Sequence, residues 1–148
     1  LFRSMLMKGL DESAAEAVCR RFEMNQQYRP LLGAERLAAD ELLVRLRRRV
    51  PVKNSTLYAW LSGLKTELVL YMMASAGSEE IRKHISRYIL KLTNVRPLIK
   101  GADLQRLGIA PSPQYSKILT AVRDARLDGV VTTRKEELEF VKNYVEQH

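Results

Sequence analysis

Four residues in the second half of the chain have the types and spacing of an anion-binding site. Arg96 and Lys100 precede the stretch "LGIAPSPQYSKIL", residues 107–119, and Lys117 lies within it. Ser112 and the proline after it are typical of the cap and first position of a helix, where unpaired amides and a partial positive charge suit a phosphate oxygen. The candidate phosphate-binding residues are therefore Arg96, Lys100, Ser112 and Lys117. The alternative is that the glycine and prolines only set a tight angle between two helices.

A second set of basic residues lies earlier in the chain. The run "RLRRR", residues 45–49, contains Arg47 and Arg48, and Lys91 belongs to a basic span that ends at Lys100. Consecutive residues of a helix point in different directions, so only part of the run can face one ligand. A solvated helix end, where cations are favoured by the helix dipole, explains the run equally well. We add Arg47, Arg48 and Lys91 to the candidate phosphate-binding residues.

The charge of the chain favours a polyanionic partner. The formal net charge is +8 over 148 residues, and clustered cations gain free energy by releasing the counterions of nucleic acid. An anionic membrane surface is the other partner that this charge fits, but no apolar stretch reaches the roughly 20 residues of a spanning helix. We expect a soluble, cytoplasmic protein without a membrane partner, in line with the single Cys19, which forms no intrachain disulfide. Because the chain begins at Leu1, we also expect it to be a piece of a longer protein.

Catalytic constellations are hard to assemble from this sequence. His84, His148 and Cys19 are the only histidines and cysteine, which excludes a zinc set and a Cys–His pair. The seven glycines are scattered singly, so no phosphate-cradling loop is present. Glu137 and Glu139 flank one leucine, and we interpret both as part of a solvated helix face. We expect no catalysis by this chain alone.

Helical patterns account for almost the whole sequence and predict an all-α bundle of seven to eight short helices without a sheet. The predicted helix caps are Asp11, Ser55, Ser78, Ser112 and Thr133. The segment "KTELVLYMMASA", residues 65–76, is apolar around much of its circumference and is the predicted centre of the core. Arg126 falls inside the apolar arc of its helix, which favours snorkelling or pairing with an acid over a contact with nucleic acid.

We divide the chain into a helical body subdomain, residues 1–95, and a helical tail subdomain, residues 96–148. The seam lies within residues 92–100. The tail contains a hairpin-like turn at residues 107–113.

The C-terminal half resembles a known family. The quoted motifs are "VRPLIKGADLQRLGI", a "P-x-P" followed by "IL", then "A-x-LDG" and "TRKEELEFV". In this order and spacing they are similar to the C-terminal body and tail region of tRNA nucleotidyltransferases, the CCA-adding or A-adding enzymes, and of the related bacterial poly(A) polymerases. Upstream, "STLYAWLSGLKTELVLYMMA" looks like the helices of long members that carry additional DHH and CBS domains. Residues 1–50 match only loosely.

The resemblance implies a function for the region. Such enzymes add CMP or AMP to the 3′ end of tRNA with a magnesium-dependent head, which this chain lacks, so we expect no cofactor in the chain itself. The implied partners are tRNA, held by the helical body and tail, and the catalytic head of the same polypeptide, with a homodimer left open. The family often has glycine where this sequence has Ser112, and glycine would permit a closer approach of an RNA backbone than serine does. Nucleotide specificity resides in the head.

The sequence leaves two other classes of function open for this chain. "LQRLGIA" before an amphipathic helix partly matches a helix-hairpin-helix DNA-binding module, although the loop is one residue too long and lacks a second glycine. A dimerisation or architectural domain is the third reading. In it, four apolar residues near the N-terminus are exposed once the region is detached: Phe2, Met5, Leu6 and Met7.

Overall fold

The computed structural model describes residue 5 and residues 7–26, 29–48 and 51–146, with the backbone alone for Arg29. Within these ranges the chain is helical and contains no strand, which confirms the predicted all-α class. The helices are α1 Glu12–Arg21, α2 Arg29–Leu32, α3 Ala34–Arg48, α4 Asn54–Leu61, α5 Thr66–Ser75, α6 Glu79–Leu90, α7 Gly101–Arg106, α8 Gln114–Leu127 and α9 Arg134–Glu146. A 3₁₀ turn, Leu92–Asn94, follows α6. None of the helices in the described ranges has the length and apolar character needed to cross a bilayer.

Local capping begins three of the helices as predicted. Asp11 accepts a hydrogen bond at 2.7 Å from the amide three residues ahead, and Ser78 does the same at 3.3 Å. At the start of α9, Thr133 Oγ1 accepts from the Glu136 amide at 3.2 Å, and the Glu136 carboxylate accepts from the Thr133 amide at 3.1 Å. These side chains satisfy amides that have no partner inside the helix, so sequence alone was sufficient to place them.

Ser55 is a correction to the predicted caps. Helix α4 begins at Asn54, so Ser55 lies inside its first turn. The Ser55 amide and hydroxyl instead donate to the Asp128 carboxylate at 2.8 and 2.6 Å. A charged acceptor from a distant helix therefore replaces the local capping bond, because hydrogen bonds to ionised groups are the stronger ones.

Helix α5 lies at the centre of the main core, as its apolar circumference predicts. Its buried side chains are Leu68, Val69, Tyr71, Met72 and Ser75. They pack with apolar residues of α3, α4 and α6, and Leu127 of α8 belongs to the same cluster. The Tyr71 hydroxyl donates to Asp40 at 2.8 Å, so the one phenol in this cluster that is fully buried has a partner.

A smaller cluster near the N-terminus contains Met7, Cys19 and Leu32. Met7 is 4% exposed, so the expectation that it is exposed was wrong; its side chain fills the space between α1 and α2. Met5 is partly buried against the main core, while Phe2 and Leu6 lie outside the described residues.

The C-terminal helices build a cluster of their own. Its buried members are Ile99, Leu104, Ile118, Val122 and Val141. Helix α8 packs against α9 on one side and against α4 on the other. The Asn54 side-chain amide donates to the Leu127 carbonyl at 2.9 Å, which ties the start of α4 to the end of α8. The division at residues 95 and 96 stays a prediction.

Candidate nucleic-acid interface

An open cleft of about 420 Å³ lies where α4, α8 and the segment before α7 meet; we call it the α4–α8 cleft. Its lining residues are Tyr58, Arg96, Pro97, Ile99, Lys100, Gly101, Leu119, Thr120 and Arg123. Of the predicted candidates, Arg96 and Lys100 lie here. Arg123 joins them from α8, so three basic side chains share one concave surface.

A buried carboxylate fixes the segment that carries the first two of these cations. Glu137 is 0% exposed. Its Oε2 accepts from the amides of Leu98 and Ile99 at 2.8 and 3.0 Å, and its Oε1 accepts from Arg126 at 2.8 Å. The interpretation of Glu137 as a solvated residue was therefore wrong; only Glu139 of that pair is exposed. Backbone amides outside a helix need acceptors when buried, and Glu137 supplies one between Arg96 and Lys100.

Arg126 behaves as the helical wheel of α8 predicts. Its Nη1 donates to Glu137 at 2.8 Å and to the Thr132 carbonyl at 3.0 Å. The guanidinium neutralises the buried carboxylate, which would otherwise be costly to remove from water. Arg126 thus pairs with an acid, and the prediction is confirmed.

Lys100 is anchored through its backbone. Its amide donates to Asp103 Oδ2 at 2.9 Å, and Arg134 Nη2 donates to Asp103 Oδ1 at 2.6 Å. The Lys100 amide first, and then the Arg134 guanidinium, hold the pKa of Asp103 below its usual range. The side chain of Lys100 is exposed at the cleft while its backbone is fixed at the start of α7.

Arg96 is held by one nitrogen of its guanidinium. That nitrogen, Nη1, donates to the carbonyls of Thr93 and Val95 at 2.8 and 2.9 Å. The side chain is exposed and lines the cleft. A planar guanidinium has five donors, so contacts through one nitrogen are compatible with binding an anion through the others.

Tyr58 and Arg123 are the cleft residues that sequence reasoning missed. The guanidinium carbon of Arg123 lies 4.7 Å from the centre of the Tyr58 ring. Arg123 Nε and Nη2 also donate to Asp124 Oδ1 at 3.2 and 3.1 Å. No local signal links Tyr58 to Arg123, because they meet only when α4 packs on α8.

Ser112 and Lys117 lie outside the residues that line this cleft. Helix α8 begins at Gln114 with Pro113 at its cap position, one residue later than predicted. Ser112 Oγ still accepts from the Gln114 amide at 3.3 Å, so it supports the helix start from outside. Both Ser112 and Lys117 are exposed, and their role in RNA binding stays a prediction.

The three remaining candidates are also elsewhere on the surface. Arg48 lines a different cleft with Trp60 and Arg45, whose guanidinium lies 5.7 Å from the Trp60 ring. Arg47 packs over Gly77, where an added Cβ would lie 3.2 Å from its Nη2. Lys91 is exposed at the end of α6. The structure does not bring these residues into the α4–α8 cleft, and RNA contacts by them stay predictions.

The described residues offer no ligand set for a metal ion. Among them, no three His, Cys, Asp or Glu side chains lie close enough together to share one. The magnesium that the resemblance assigns to a catalytic head therefore has no site that fits in the described part of this chain. No step of the proposed function below uses a metal.

Comparison with known proteins gives two curated relatives, both named A-adding tRNA nucleotidyltransferase. The protein from Geobacter sulfurreducens is 35% identical over 137 residues, which are 90% of this chain and 16% of that protein. The protein from Halalkalibacterium halodurans is 25% identical over 105 residues, 71% of this chain and 24% of that protein. No protein-family model and no solved structure matches the chain.

The chain therefore spans less than a quarter of the length of either relative. The similarity to the first of these proteins covers most of the chain itself. These comparisons support the family that the motifs indicate: over most of its length, the chain is similar to part of the tRNA nucleotidyltransferases.

Proposed function

We propose that this chain is the non-catalytic, tRNA-binding region of a tRNA nucleotidyltransferase. It holds tRNA so that the 3′ end reaches a catalytic head, outside this chain, that adds CMP or AMP. The names of the two relatives support tRNA as the partner, and the net charge of +8 supports a polyanion. Head and chain belong to one polypeptide in this proposal, and the protein acts in the cytoplasm.

The observation that carries the proposal is the convergence of Arg96, Lys100 and Arg123 on the α4–α8 cleft. Phosphate oxygens are the natural ligands of such a set, and contacts with them position an RNA without reading its sequence. The backbone beneath the first two cations is fixed by Glu137 and Asp103. Fixing a binding segment in advance lowers the entropy lost on binding, and therefore raises affinity.

Fluorescence anisotropy with labelled nucleic acids tests the proposal. We expect the chain to bind tRNA more tightly than a tRNA without its T-arm or a DNA duplex, with an affinity that falls steeply as salt rises. The double variant Arg96→Ala/Lys100→Ala should lose more than about tenfold in tRNA affinity and have a shallower salt dependence, with slope reduced by roughly 2.

The matched control is Arg20→Ala/Arg21→Ala, which removes two exposed positive charges at the end of α1, away from the cleft. It should weaken tRNA binding much less than the cleft variant. Equal binding to tRNA, truncated tRNA and DNA would contradict a tRNA-specific role and favour a general nucleic-acid module. No binding at moderate salt would favour an architectural domain.

A further inference from the structure

We infer that the α4–α8 cleft holds one unpaired nucleotide of the bound RNA, with its base stacked on the Arg123 guanidinium and its phosphate on Lys100 and Arg96. This inference rests on the proposed function and adds a subsite to it. The proposed function requires only phosphate contacts, whereas a stacked base makes the site selective for RNA with an unpaired nucleotide.

The first step is that Arg123 is a fixed, flat platform. The guanidinium carbon lies over the Tyr58 ring, 4.7 Å from its centre, and Nε and Nη2 donate to Asp124 Oδ1 at 3.2 and 3.1 Å. Ring and carboxylate together restrain the guanidinium. A guanidinium plane stacks on nucleobases as aromatic rings do, and here little freedom is left to lose on binding.

The second step is that part of this platform is open to the cleft. Arg123 keeps 28% of its side chain exposed and lines the cleft with Leu119 and Thr120 of its own helix. Pro97 lies on the opposite segment, so the cleft has apolar surface beside the platform. A base entering from solvent would meet the guanidinium plane and these apolar atoms together.

The third step is that the three basic residues of the cleft have different roles. Asp124 lies against Arg123 and offsets its charge, so Arg123 contributes less to attracting phosphate than its formal charge suggests. Arg96 and Lys100 have no carboxylate within ion-pair distance among the described residues. Lys100 and Arg96 are therefore the phosphate ligands, and Arg123 is the stacking group.

The fourth step concerns which RNA fits. A volume of about 420 Å³ is sufficient for a single nucleotide. Bases inside a helix are already stacked and paired, so their faces are closed to Arg123. Nucleotides in loops and bulges present a free face, which is why proteins recognise them by stacking.

The test compares two RNA hairpins that differ by one bulged nucleotide, using Arg123→Lys. Lysine keeps the charge and removes the plane. The unchanged chain should bind the bulged hairpin about tenfold more tightly than the paired one. Arg123→Lys should reduce this preference to less than about twofold, because it weakens the binding of the bulged hairpin far more than that of the paired one. The control Arg82→Lys, an exposed arginine paired with Glu79, should keep the preference.

A second variant separates the two kinds of contact. Arg96→Ala/Lys100→Ala should weaken the binding of both hairpins and reduce the salt dependence of that binding. It should leave the ratio between the two affinities unchanged. Absence of a bulge preference in the unchanged chain, or its persistence in Arg123→Lys, would overturn the stacking site while leaving RNA binding intact. Failure to bind either hairpin or tRNA would overturn the proposed function together with the inference.

Discussion

Glu137 shows how one side chain can position the residues of a candidate binding surface that it does not itself line. The residue is fully buried and satisfies two backbone amides of the segment between Arg96 and Lys100. Arg126 compensates its charge at 2.8 Å. The positions of two candidate RNA-binding residues, Arg96 and Lys100, thus depend on a carboxylate of α9. None of the residues that line the cleft belongs to α9.

Replacing Glu137 should therefore be costly. Glu137→Ala leaves one buried amide, one partly buried amide and a partly buried guanidinium without their acceptor, and we expect a loss of about 3 kcal/mol in the free energy of unfolding. Urea denaturation followed by circular dichroism measures it. Glu139→Ala, two positions along on the exposed face, is the matched control and should change stability by less than about 0.5 kcal/mol. Similar losses in both variants would contradict the buried role of Glu137.

At the scale of elements, the contact between α4 and α8 forms one wall of the cleft. Three polar contacts accompany the apolar packing: Asn54 to the Leu127 carbonyl, Ser55 to Asp128, and Arg123 over Tyr58. Arg87 of α6 extends this network by donating to Asn54 at 3.1 Å. Three residue pairs thereby hold α4 against α8, and Arg87 links the same joint to α6 through Asn54.

The contact between Ser55 and Asp128 should be measurable as a coupling energy. The hydroxyl-to-carboxylate bond is charge-assisted but exposed, so we expect about 1 kcal/mol. A double-mutant cycle measures this coupling energy. It compares the free energies of unfolding of the unchanged chain, Ser55→Ala, Asp128→Ala and the double variant, each obtained by chemical denaturation. Strictly additive effects of the two substitutions would show that this contact does not stabilise the α4–α8 joint.

His84 makes the same network sensitive to pH. The ring is buried, and its Nδ1 lies 3.2 Å from Nη2 of Arg87. Burial lowers the pKa of His84, as does the charge of Arg87, while Glu80 opposes the shift. The folded state therefore resists protonation, so this contribution to stability is complete above pH 6.5 and declines as the pH falls toward the lowered pKa.

We expect the free energy of unfolding to fall between pH 7.5 and 5.5 by more in the unchanged chain than in His84→Gln. Glutamine keeps polar atoms at this position and does not titrate. Since every other residue is the same in both proteins, the difference between the two reports His84. An identical pH dependence would contradict a neutral, buried His84 in the folded state.

At the scale of the whole molecule, Leu127 joins the C-terminal helices to the main core. Its side chain is 4% exposed and packs in the cluster centred on α5, although Ile118 and Val122 of the same helix belong to the C-terminal cluster. Leu127 thus lies where the two clusters meet. The cleft lies at the same junction, so its shape depends on both.

Leu127→Ala should lower the free energy of unfolding by about 2–4 kcal/mol, since it opens a cavity between the two clusters. Chemical denaturation measures this loss.

We also expect body and tail to unfold together in one transition. Trp60, the only tryptophan, reports on the body by fluorescence, and amide exchange at Ile118 and Val122 reports on the tail. Separate transitions by the two probes would instead show that residues 1–95 and 96–148 fold independently.

Local chemistry determined what the sequence could predict. The starts of α1, α6 and α9 were predicted because a capping side chain acts within three residues of its own position. The central place of α5 followed from its apolar circumference, and the pairing of Arg126 followed from its position on a helical wheel. The order and spacing of the sequence motifs also indicated the similarity to tRNA nucleotidyltransferases without any knowledge of the fold.

Tertiary packing decided the rest. Ser55 lost its predicted capping role to Asp128, Glu137 became buried beneath a distant loop, and Tyr58 met Arg123 across two helices. Each of these contacts joins residues far apart in the chain, and helical periodicity reports which face is apolar but not which element covers it. The sequence by itself therefore determined the helices and the basic character, whereas only the fold selected the three cations that share a cleft.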